Sequence, residues 1–319
     1  MLPESGFLET RITRDRADFG RDKFTGCRYI APPLTSTCSV VRQSYTAIIL
    51  EESRIKKSKS QPTCFVTYWC LSQKDGKYMK IGILSDIHGN ITALTAVFAD
   101  MLRDNVNSIM VLGDIIDYGP HSNEVIQLLE KFEGTVLCNI HGNHENAIVY
   151  NQYEKFSSDR GRVCAQYTRD NLTEKSWNYV KRVMTNTGKK TIWVKNKKVL
   201  AIHGSLEDNY WQAISTRSKL DEYCEYDYVF SGHSHLPHMF EIYYKKDDPI
   251  HRNKKKTVFV NPGSVGQPRN LCACAQYTIW ETENDTFEMK KISYDIRKEQ
   301  QDFSDKVDVF YKNRLEVGI

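Results

Sequence analysis

Five short strings in this 319-residue chain combine carboxylate, amide and imidazole side chains, and each stands at the end of an apolar stretch. The strings are Asp86-Ile87-His88-Gly89-Asn90, Gly113-Asp114-Ile115-Ile116-Asp117, Gly142-Asn143-His144-Glu145, His203-Gly204 and Gly232-His233-Ser234-His235. As candidate metal ligands they supply two carboxylates (Asp86 and Asp114), one amide (Asn143) and four imidazoles, with one further histidine. Transition metals in hydrolases bind carboxylate oxygens and neutral imidazole nitrogens. The set therefore suits two metal ions that act together in hydrolysis.

Each string taken alone also has an ordinary structural explanation. Asp114 after an apolar strand can cap a turn or a helix, and a lone histidine such as His203 is more often a hydrogen-bonded structural residue. Asp86 and His88 are two residues apart, so in an extended segment both side chains are expected on one side. The joint occurrence of all five strings, each at a predicted strand end, favours one shared site over five unrelated loops.

The third string combines a candidate ligand with a candidate acid, and the fifth string supplies two candidate ligands. Asn143 offers a neutral carbonyl oxygen, and the alternation of the chain is expected to point the adjacent His144 elsewhere. That arrangement suits a metal ligand beside a general acid. His233 and His235, two residues apart after an apolar strand, can serve two neighbouring ions. Asp117 is expected only to brace its loop.

Other polar residues near these strings are candidates for substrate contacts. Residues 261–269 (Asn-Pro-Gly-Ser-Val-Gly-Gln-Pro-Arg) form a rigid turn sequence. It either offers backbone N–H groups and Arg269 to an anionic substrate or only closes the fold. His141 and His238 are near enough in sequence to line the site, with a surface or supporting position as the alternative.

Hydrophobic periodicity predicts the elements that position these side chains. Short apolar strands are predicted at residues 81–84, 108–112 and 135–140, with a helix after each of the first two, and Ser122 is expected to cap the second helix. This βαβαβ order predicts a parallel sheet that gathers ligands at the carboxyl ends of its strands. A helical stretch over residues 160–184 precedes further strands and a closing hairpin. The order predicts an α/β fold of two packed mixed sheets with helices outside.

The chain divides by composition into a basic extension, residues 1–78, and a near-neutral main domain, residues 79–319. The extension has 13 Lys and Arg against 8 Asp and Glu, and the main domain has 31 against 32. We expect the extension to be poorly ordered, because it has no sustained hydrophobic period, and the functional protein to start at Met79. The polar tail from Ile296 is expected to form a surface helix. The near-neutral main domain disfavours nucleic acid as a partner.

The nine cysteines include no Cys-x-x-Cys pair, and no charged segment followed by a long apolar one precedes them. The apolar runs are also far too short to cross a bilayer. We therefore expect a cytoplasmic protein with reduced thiols and no membrane association, with a secreted disulfide set as the alternative. The sequence does not indicate an oligomeric state.

The order and content of the five strings closely resemble the calcineurin-like metallophosphoesterase superfamily. Its pattern runs D-x-H, G-D-x-x-D, G-N-H-[DE], a single H before G, and G-H-x-H, and the resemblance covers about residues 79–294. Residues 117–120 (Asp-Tyr-Gly-Pro) and 261–269 resemble its small bacterial and archaeal phosphodiesterase branch. The resemblance implies a four-layer α/β/β/α sandwich of two mixed sheets, in agreement with the predicted elements.

Carried over to this chain, the resemblance implies two divalent metal ions with Asp114 as a bridging ligand. The implied ligands are Asp86, His88, Asp114 and His235 for one ion, and Asp114, Asn143, His203 and His233 for the other. Mixed nitrogen and oxygen ligands suit Mn, Fe or Zn better than Mg. A hydroxide formed from a shared water is expected to attack phosphorus in line. His144 is the implied catalytic acid that protonates the leaving alkoxide.

The resemblance further implies a phosphoester hydrolase, with a small-molecule phosphodiester as the expected substrate. Tyr118 stands where protein Ser/Thr phosphatases carry an arginine that grips the substrate phosphate. A protein phosphatase and a dinucleoside polyphosphate hydrolase are the enzymatic alternatives, and a non-catalytic binding scaffold is a third. A scaffold is expected to have lost metal ligands or the catalytic histidine, and this chain keeps them all. The expected substrate contacts are Arg269, Tyr118 and His141.

Overall fold

A computed structural model describes residues 79–245, 250 and 254–319 of the protein. The predicted extension over residues 1–78 lies outside the described residues. The α-helices and strands of the described part are, in chain order, β1 (Lys80–Leu84), α1 (Ile91–Arg103), β2 (Ser108–Val111), α2 (Ser122–Glu130), β3 (Thr135–Asn139), α3 (Asn143–Tyr150), α4 (Asp159–Asn171), α5 (Glu174–Asn178), β4 (Lys189–Val194), β5 (Lys197–Ile202), β6 (Tyr228–Ser231), β7 (His238–Tyr244), β8 (Lys255–Asn261), β9 (Ala275–Glu281), β10 (Thr286–Ile292), α6 (Ile296–Gln301) and α7 (Val309–Val317).

The strands form two five-stranded mixed sheets. The first has the order β10-β9-β1-β2-β3, in which β1, β2 and β3 are parallel, β9 is antiparallel to β1, and β10 is antiparallel to β9. The second has the order β4-β5-β6-β8-β7, with parallel β5, β6 and β8 between two antiparallel edge strands. The predicted α/β class with two mixed sheets is confirmed.

The central strands are buried on both faces, which explains their continuous apolar runs. In β1, Ile81 and Ile83 lie in the core between the sheets, whereas Leu84 faces the helices of the first sheet. Full burial of one such side chain contributes about 1.5–3 kcal/mol. The outer face of the second sheet is covered by residues 214–226, which contain only a short 3₁₀-helix at Asp221–Glu225.

Two local predictions at helix starts were wrong. Asn143 and His144, expected in extended chain, lie in the first turn of α3, because the main-chain N–H of Gly142 donates to Glu145 Oε2 at 2.7 Å and begins the helix there. Ser122, expected as the N-cap of α2, is instead its first residue.

Further differences concern the later helices and an edge strand. The single helical stretch predicted over residues 160–184 is α4, α5 and a π-helix at Tyr179–Val183, because Leu172 is extended and the Thr173 side chain caps α5. The edge strand β7 was not predicted. The tail forms two helices, and α7 buries Tyr311 instead of lying wholly on the surface. Over the described ranges, no helix has the length and apolar composition of a bilayer span.

One pair of cysteines differs from the prediction of reduced thiols. Cys272 and Cys274 form a disulfide in the turn before β9, where their Cα atoms are 5.5 Å apart. That separation lies within the range a disulfide requires. The sequence analysis considered Cys-x-x-Cys pairs, and the Cys-Ala-Cys spacing is one residue shorter, so only the shape of the turn shows that these two cysteines meet. Cys138, Cys164 and Cys224 carry free thiols.

We propose that residues 79–319 fold without the extension. β1 is the middle strand of the first sheet, and the main-chain oxygen of Met79 accepts hydrogen bonds from the N–H and hydroxyl of Thr282 at 3.1 and 3.0 Å. A protein that begins at Met79 is expected to be soluble and to equal the full chain in metal content and turnover. Limited proteolysis of the full chain should yield the same fragment. If the shortened protein were inactive or insoluble while the full chain was soluble and active, the extension would be a structural part of the domain or a lid.

Candidate metal centre

The five motif loops follow β1, β2, β3, β5 and β6, and several of their residues have unusual backbone conformations. Positive φ angles occur at Asp86 (54°), His88 (48°), Asp114 (51°), His233 (65°) and His235 (57°). For residues with a Cβ this left-handed region costs of order 1–3 kcal/mol each, and such strain concentrates at functional sites. The extended conformation predicted around Asp86 and His88 is therefore wrong, although both side chains reach the same cluster.

Close approach of the first three loops depends on glycine and on main-chain hydrogen bonds. Gly113 has a φ of 92°, and a Cβ built on it would lie 2.4 Å from the main-chain nitrogen of Gly142. The N–H of Asp86 donates to the oxygen of Gly113 at 3.1 Å, and the N–H of His88 donates to that of Asp114 at 2.9 Å. The loops after β1, β2 and β3 are thus held in contact by the main chain itself.

A first group of possible metal ligands consists of Asp86, His88 and His235. The Nε2 atom of His235 lies 3.2 Å from Asp86 Oδ1 and 3.3 Å from His88 Nε2. All three side chains are buried, and Asp86 Oδ1 has no hydrogen-bond donor. One carboxylate oxygen and two ring nitrogens therefore converge in a space closed to bulk water.

A second group consists of Asp114, His203 and His233, with Asn143 between them. The Nε2 atom of His203 lies 3.3 Å from Asp114 Oδ2 and 2.9 Å from Asn143 Oδ1. The Nδ1 atom of His233 is 3.0 Å from Asn143 Oδ1. Asp114 Oδ2 is also 3.7 Å from His88 Nε2 in the first group. The carboxylate of Asp114 therefore lies between the two groups.

Main-chain oxygens determine which ring nitrogen of each histidine carries hydrogen. Three Nδ1 atoms face a carbonyl oxygen, in the pairs His88 with Ile116 (3.3 Å), His203 with Leu112 (2.7 Å) and His235 with Gln267 (2.5 Å). Because a carbonyl oxygen only accepts, these Nδ1 atoms carry hydrogen, and the neutral ring presents a lone pair on Nε2. His233 is reversed: its Nε2 faces the oxygen of Trp211 at 3.1 Å, and its Nδ1 faces the cluster.

These residues fit a metal ion. Burial and the nearby His144 lower the pKa of His88, and burial and the positive charge of Arg269 lower the pKa of His235, so both rings are neutral. Their Nε2 lone pairs then face each other at 3.3 Å, beside the unpartnered oxygen of Asp86. Such an arrangement of acceptors requires a cation. A divalent metal ion held by Asp86, His88 and His235 would supply it, and the carbonyl partners of the two rings would fix the orientation of their Nε2 atoms.

The second group also fits a metal ion, but its histidines differ in protonation state from those of the first group. Burial alone would lower the pKa of His203, but the carboxylate of Asp114 raises it to about 9. A metal ion would take the place of that proton, since imidazole binds metals in its neutral form. Burial and the charge of His203 lower the pKa of His233 to about 4. His233 is therefore a neutral donor at physiological pH.

Asp117 holds His144 in position. The Nδ1 atom of His144 donates to Asp117 Oδ2 at 2.6 Å, and the hydroxyl of Thr168 donates to Asp117 Oδ1 at 2.7 Å. The Nε2 atom of His144 lies 3.9 Å from Asp114 Oδ2 and so faces the cluster. The prediction that Asp117 only braces its loop missed this contact. The sequence signal was a second carboxylate three residues after Asp114.

Glu145 supports the loop that carries Asp114, a role that the sequence analysis did not assign. Its carboxylate is fully buried and accepts main-chain N–H groups from Asp114 (2.8 Å), Ile115 (2.8 Å), Ile116 (3.1 Å) and Gly142 (2.7 Å). Burial and the charge of Asp114 raise the pKa of Glu145 to about 7. Four hydrogen bonds to one side chain fix the loops after β2 and β3 relative to each other.

The structure brings Tyr118 to the centre. The Tyr118 ring lies 4.6 Å from the ring of His88 and 4.4 Å from that of His144, between centroids. Its other neighbour is Tyr311 of α7, stacked at 4.3 Å. Tyr118 therefore forms a wall of the site that the C-terminal helix supports.

Arg269 and His141, the other two predicted substrate contacts, differ in position. Arg269 is close enough for its charge to lower the pKa of His235, and its Nε atom is buried without an acceptor. His141 is buried and donates from Nε2 to the oxygen of Val180 at 2.8 Å. Its ring has no hydrogen bond to the clustered side chains within the described part of the chain.

The fold and the site define a metal-dependent hydrolase, since buried carboxylates and imidazoles converge where the strands of two mixed sheets end. Residues 79–285 match the calcineurin-like phosphoesterase superfamily domain, and the chain belongs to this family. It is a metal-dependent phosphoester hydrolase, and the resemblance predicted from the five strings is confirmed.

The chain is similar to several known proteins and structures. The chain is 27% identical over 222 residues to an uncharacterized protein of Methanocaldococcus jannaschii, covering 68% of this chain and 89% of that one. It is similar to the structure of a metallophosphoesterase from Sphaerobacter thermophilus, at 25% identity and a TM-score of 0.57, covering 76% of this chain and 100% of that one. A hypothetical protein from Pyrococcus horikoshii shares the fold at 18% identity, with a TM-score of 0.62 and coverage of 76% and 99%.

Proposed function

We propose that this protein hydrolyses small-molecule phosphodiesters at a centre of two divalent ions, with Mn, Fe or Zn suited to its donors. The position of Asp114 carries the proposal: its Oδ2 lies 3.7 Å from His88 Nε2 and 3.3 Å from His203 Nε2. A carboxylate between two groups of buried donors supports a bridging role. The proposed ligands are Asp86, His88, Asp114 and His235 at one ion, and Asp114, Asn143, His203 and His233 at the other.

Two bound ions would lower the pKa of a water and neutralise charge on the phosphoryl oxygens. His144 would hold a proton on Nε2, the ring nitrogen that faces the cluster, while Nδ1 stays bonded to Asp117. From that position it would protonate the leaving alkoxide. Glu145 would keep the Asp114 loop rigid, so that the centre need not reorganise during the reaction.

The substrate preference depends on the neutral ring of Tyr118 beside His88 and His144. A phosphomonoester dianion carries more negative charge than a diester and gains more from a cationic side chain at this position. We expect a higher kcat/KM on bis(4-nitrophenyl) phosphate than on 4-nitrophenyl phosphate, measured with metal-loaded protein. Tyr118→Arg should shift the ratio toward the monoester, and Tyr243→Arg on the exposed strand β7 should leave it unchanged.

The reverse ranking in the wild-type protein would favour the phosphatase alternative. Hydrolysis of neither substrate, followed by activity on a dinucleoside polyphosphate, would favour the polyphosphate hydrolase. We further propose that the partners are small phosphoesters, because the main domain is near neutral, and that the protein is cytoplasmic. Cell fractionation tests the location.

A further inference from the structure

Three arginines lie on helix α7 or next to it. Within the described residues, Arg160 at the start of α4, Arg269 after β8 and Arg314 on α7 form no ion pair with Asp or Glu. The Cζ atoms of Arg160 and Arg314 lie 4.1 and 5.0 Å from the centroid of the Phe310 ring, so both flank one side chain. Nearby carboxylates are engaged elsewhere: Asp117 binds His144, and Asp159 pairs with Arg162.

Main-chain contacts connect this cluster to the metal centre. The carbonyl of Gln267 accepts from the ligand His235 at 2.5 Å, and Arg269 follows two residues later. A further two residues on, the N–H of Leu271 donates to the oxygen of Gly318, at the end of α7, at 2.8 Å. The loop that carries Arg269 therefore lies between a predicted metal ligand and the helix that carries Arg314.

The guanidinium groups have more donors than the structure satisfies. Arg314 is only 8% exposed and donates from Nε to the main-chain oxygen of Ile319. Arg269 has a buried Nε with no acceptor. Burial and the positive charge of Arg269 lower the pKa of Arg314 to about 10. The buried Nε of Arg269 leaves a hydrogen-bond donor unsatisfied, which is costly, and an anion beside it would accept that hydrogen bond.

We propose that Arg160, Arg269 and Arg314 form a second anion site, which binds a phosphate group of the substrate other than the one hydrolysed. Guanidinium groups bind phosphate through paired N–H donors, and the exposed Arg160 lies on the solvent side. Tyr118, in contact with both His144 and Tyr311, separates this site from the metal centre. The proposal rests on the proposed function and narrows its substrate class to phosphodiesters with a second phosphate group.

A matched pair of substrates tests the second phosphate. Thymidine 5′-(4-nitrophenyl phosphate), with and without a 3′-phosphate, keeps the same scissile bond. With metal-loaded full-length protein, the 3′-phosphate is expected to raise kcat/KM at least about tenfold, as hydrogen bonds between charged groups do. The 4-nitrophenyl ester of thymidine 5′-diphosphate tests a shorter spacing. No gain from either added phosphate overturns the proposal.

Variants show whether the arginines cause the gain. Arg269→Ala and Arg314→Ala should reduce the ratio of the two kcat/KM values to about twofold or less, and Arg314→Lys should retain part of it. Arg297→Ala, an exposed arginine on α6, is the matched control and should keep the full ratio. If the buried variants fail to fold in a thermal melt, the exposed Arg160→Ala tests the same ratio.

The outcomes separate this inference from the proposed function. If the metal-loaded protein hydrolyses none of these diesters, the proposed function fails. If it hydrolyses the parent diester and gains nothing from a second phosphate, only the second anion site fails. An equal loss of the ratio in Arg297→Ala would indicate a general charge effect and would also overturn the site.

Discussion

Replacing His144 with alanine is expected to lower kcat by roughly 100-fold or more, while the protein keeps its metal. His144 directs Nε2 at the cluster and is held through Nδ1 by Asp117, a geometry suited to proton donation. The loss should be largest on a phosphodiester with an alkyl leaving group, because an alkoxide must be protonated as it departs. A diester that releases 4-nitrophenolate should lose far less. Steady-state kinetics on both substrates, together with elemental analysis, measure the effect.

The same variant separates two possible roles of His144. Its ring also lies near His88 and Asp114, so by distance alone it could be a ligand. Loss of metal from His144→Ala would make it a ligand, and unchanged turnover of the alkyl diester would remove it from the mechanism. His238→Ala is the matched control, because His238 lies on β7 and bonds only the oxygen of Leu236.

Replacing Asp114 with asparagine is expected to reduce bound metal from about two ions per chain to about one or fewer, with a corresponding loss of turnover. The substitution keeps the size of the side chain but removes the negative charge shared by the two groups of donors. Among the Asp and Glu side chains of the described residues, only Asp114 has a carboxylate oxygen within 4 Å of ring nitrogens in both groups. Elemental analysis of purified protein measures the change.

Single-group variants sharpen the comparison. His235→Ala should affect the first ion and His203→Ala the second, so each should lose less metal than Asp114→Asn. Asp227→Asn is the control for a lost carboxylate outside the site, because Asp227 pairs with Lys255. Unchanged metal content in Asp114→Asn would exclude the bridging role.

The positions of the candidate metal-binding strings were predictable because they depend on local pattern. Apolar runs predicted the strands β1, β2, β5 and β6, and a parallel sheet gathers the ends of its strands whatever the details of packing. Asp86, Asp114 and His203 could thus be assigned to one site from spacing and residue type. The charge asymmetry is a property of the sequence itself. The domain boundary at Met79 stays a prediction, since residues 1–78 lie outside the described part of the structure.

Contacts between distant residues could not be predicted in the same way. Asp117 was assigned to its loop because its partner His144 is 27 residues away, and the helix that turns His144 toward it begins through Glu145. The reversed ring of His233 depends on the carbonyl of Trp211, 22 residues earlier. A one-dimensional pattern contains no information on such distances.

By itself, the sequence determined the class of fold, the residues with metal-binding chemistry and the family, because periodicity, residue type and spacing are local properties. Only the tertiary structure decided which nitrogen of each ring faces the cluster. It also showed that His141 donates to the oxygen of Val180 instead of to the clustered side chains, and that α7 lies beside the loop that carries Arg269. Cys272 and Cys274 likewise became a disulfide through the shape of a turn. These outcomes depend on side-chain directions and on packing between elements far apart in the chain. The left-handed backbone overrides the local alternation at Asp86, His88, Asp114, His233 and His235.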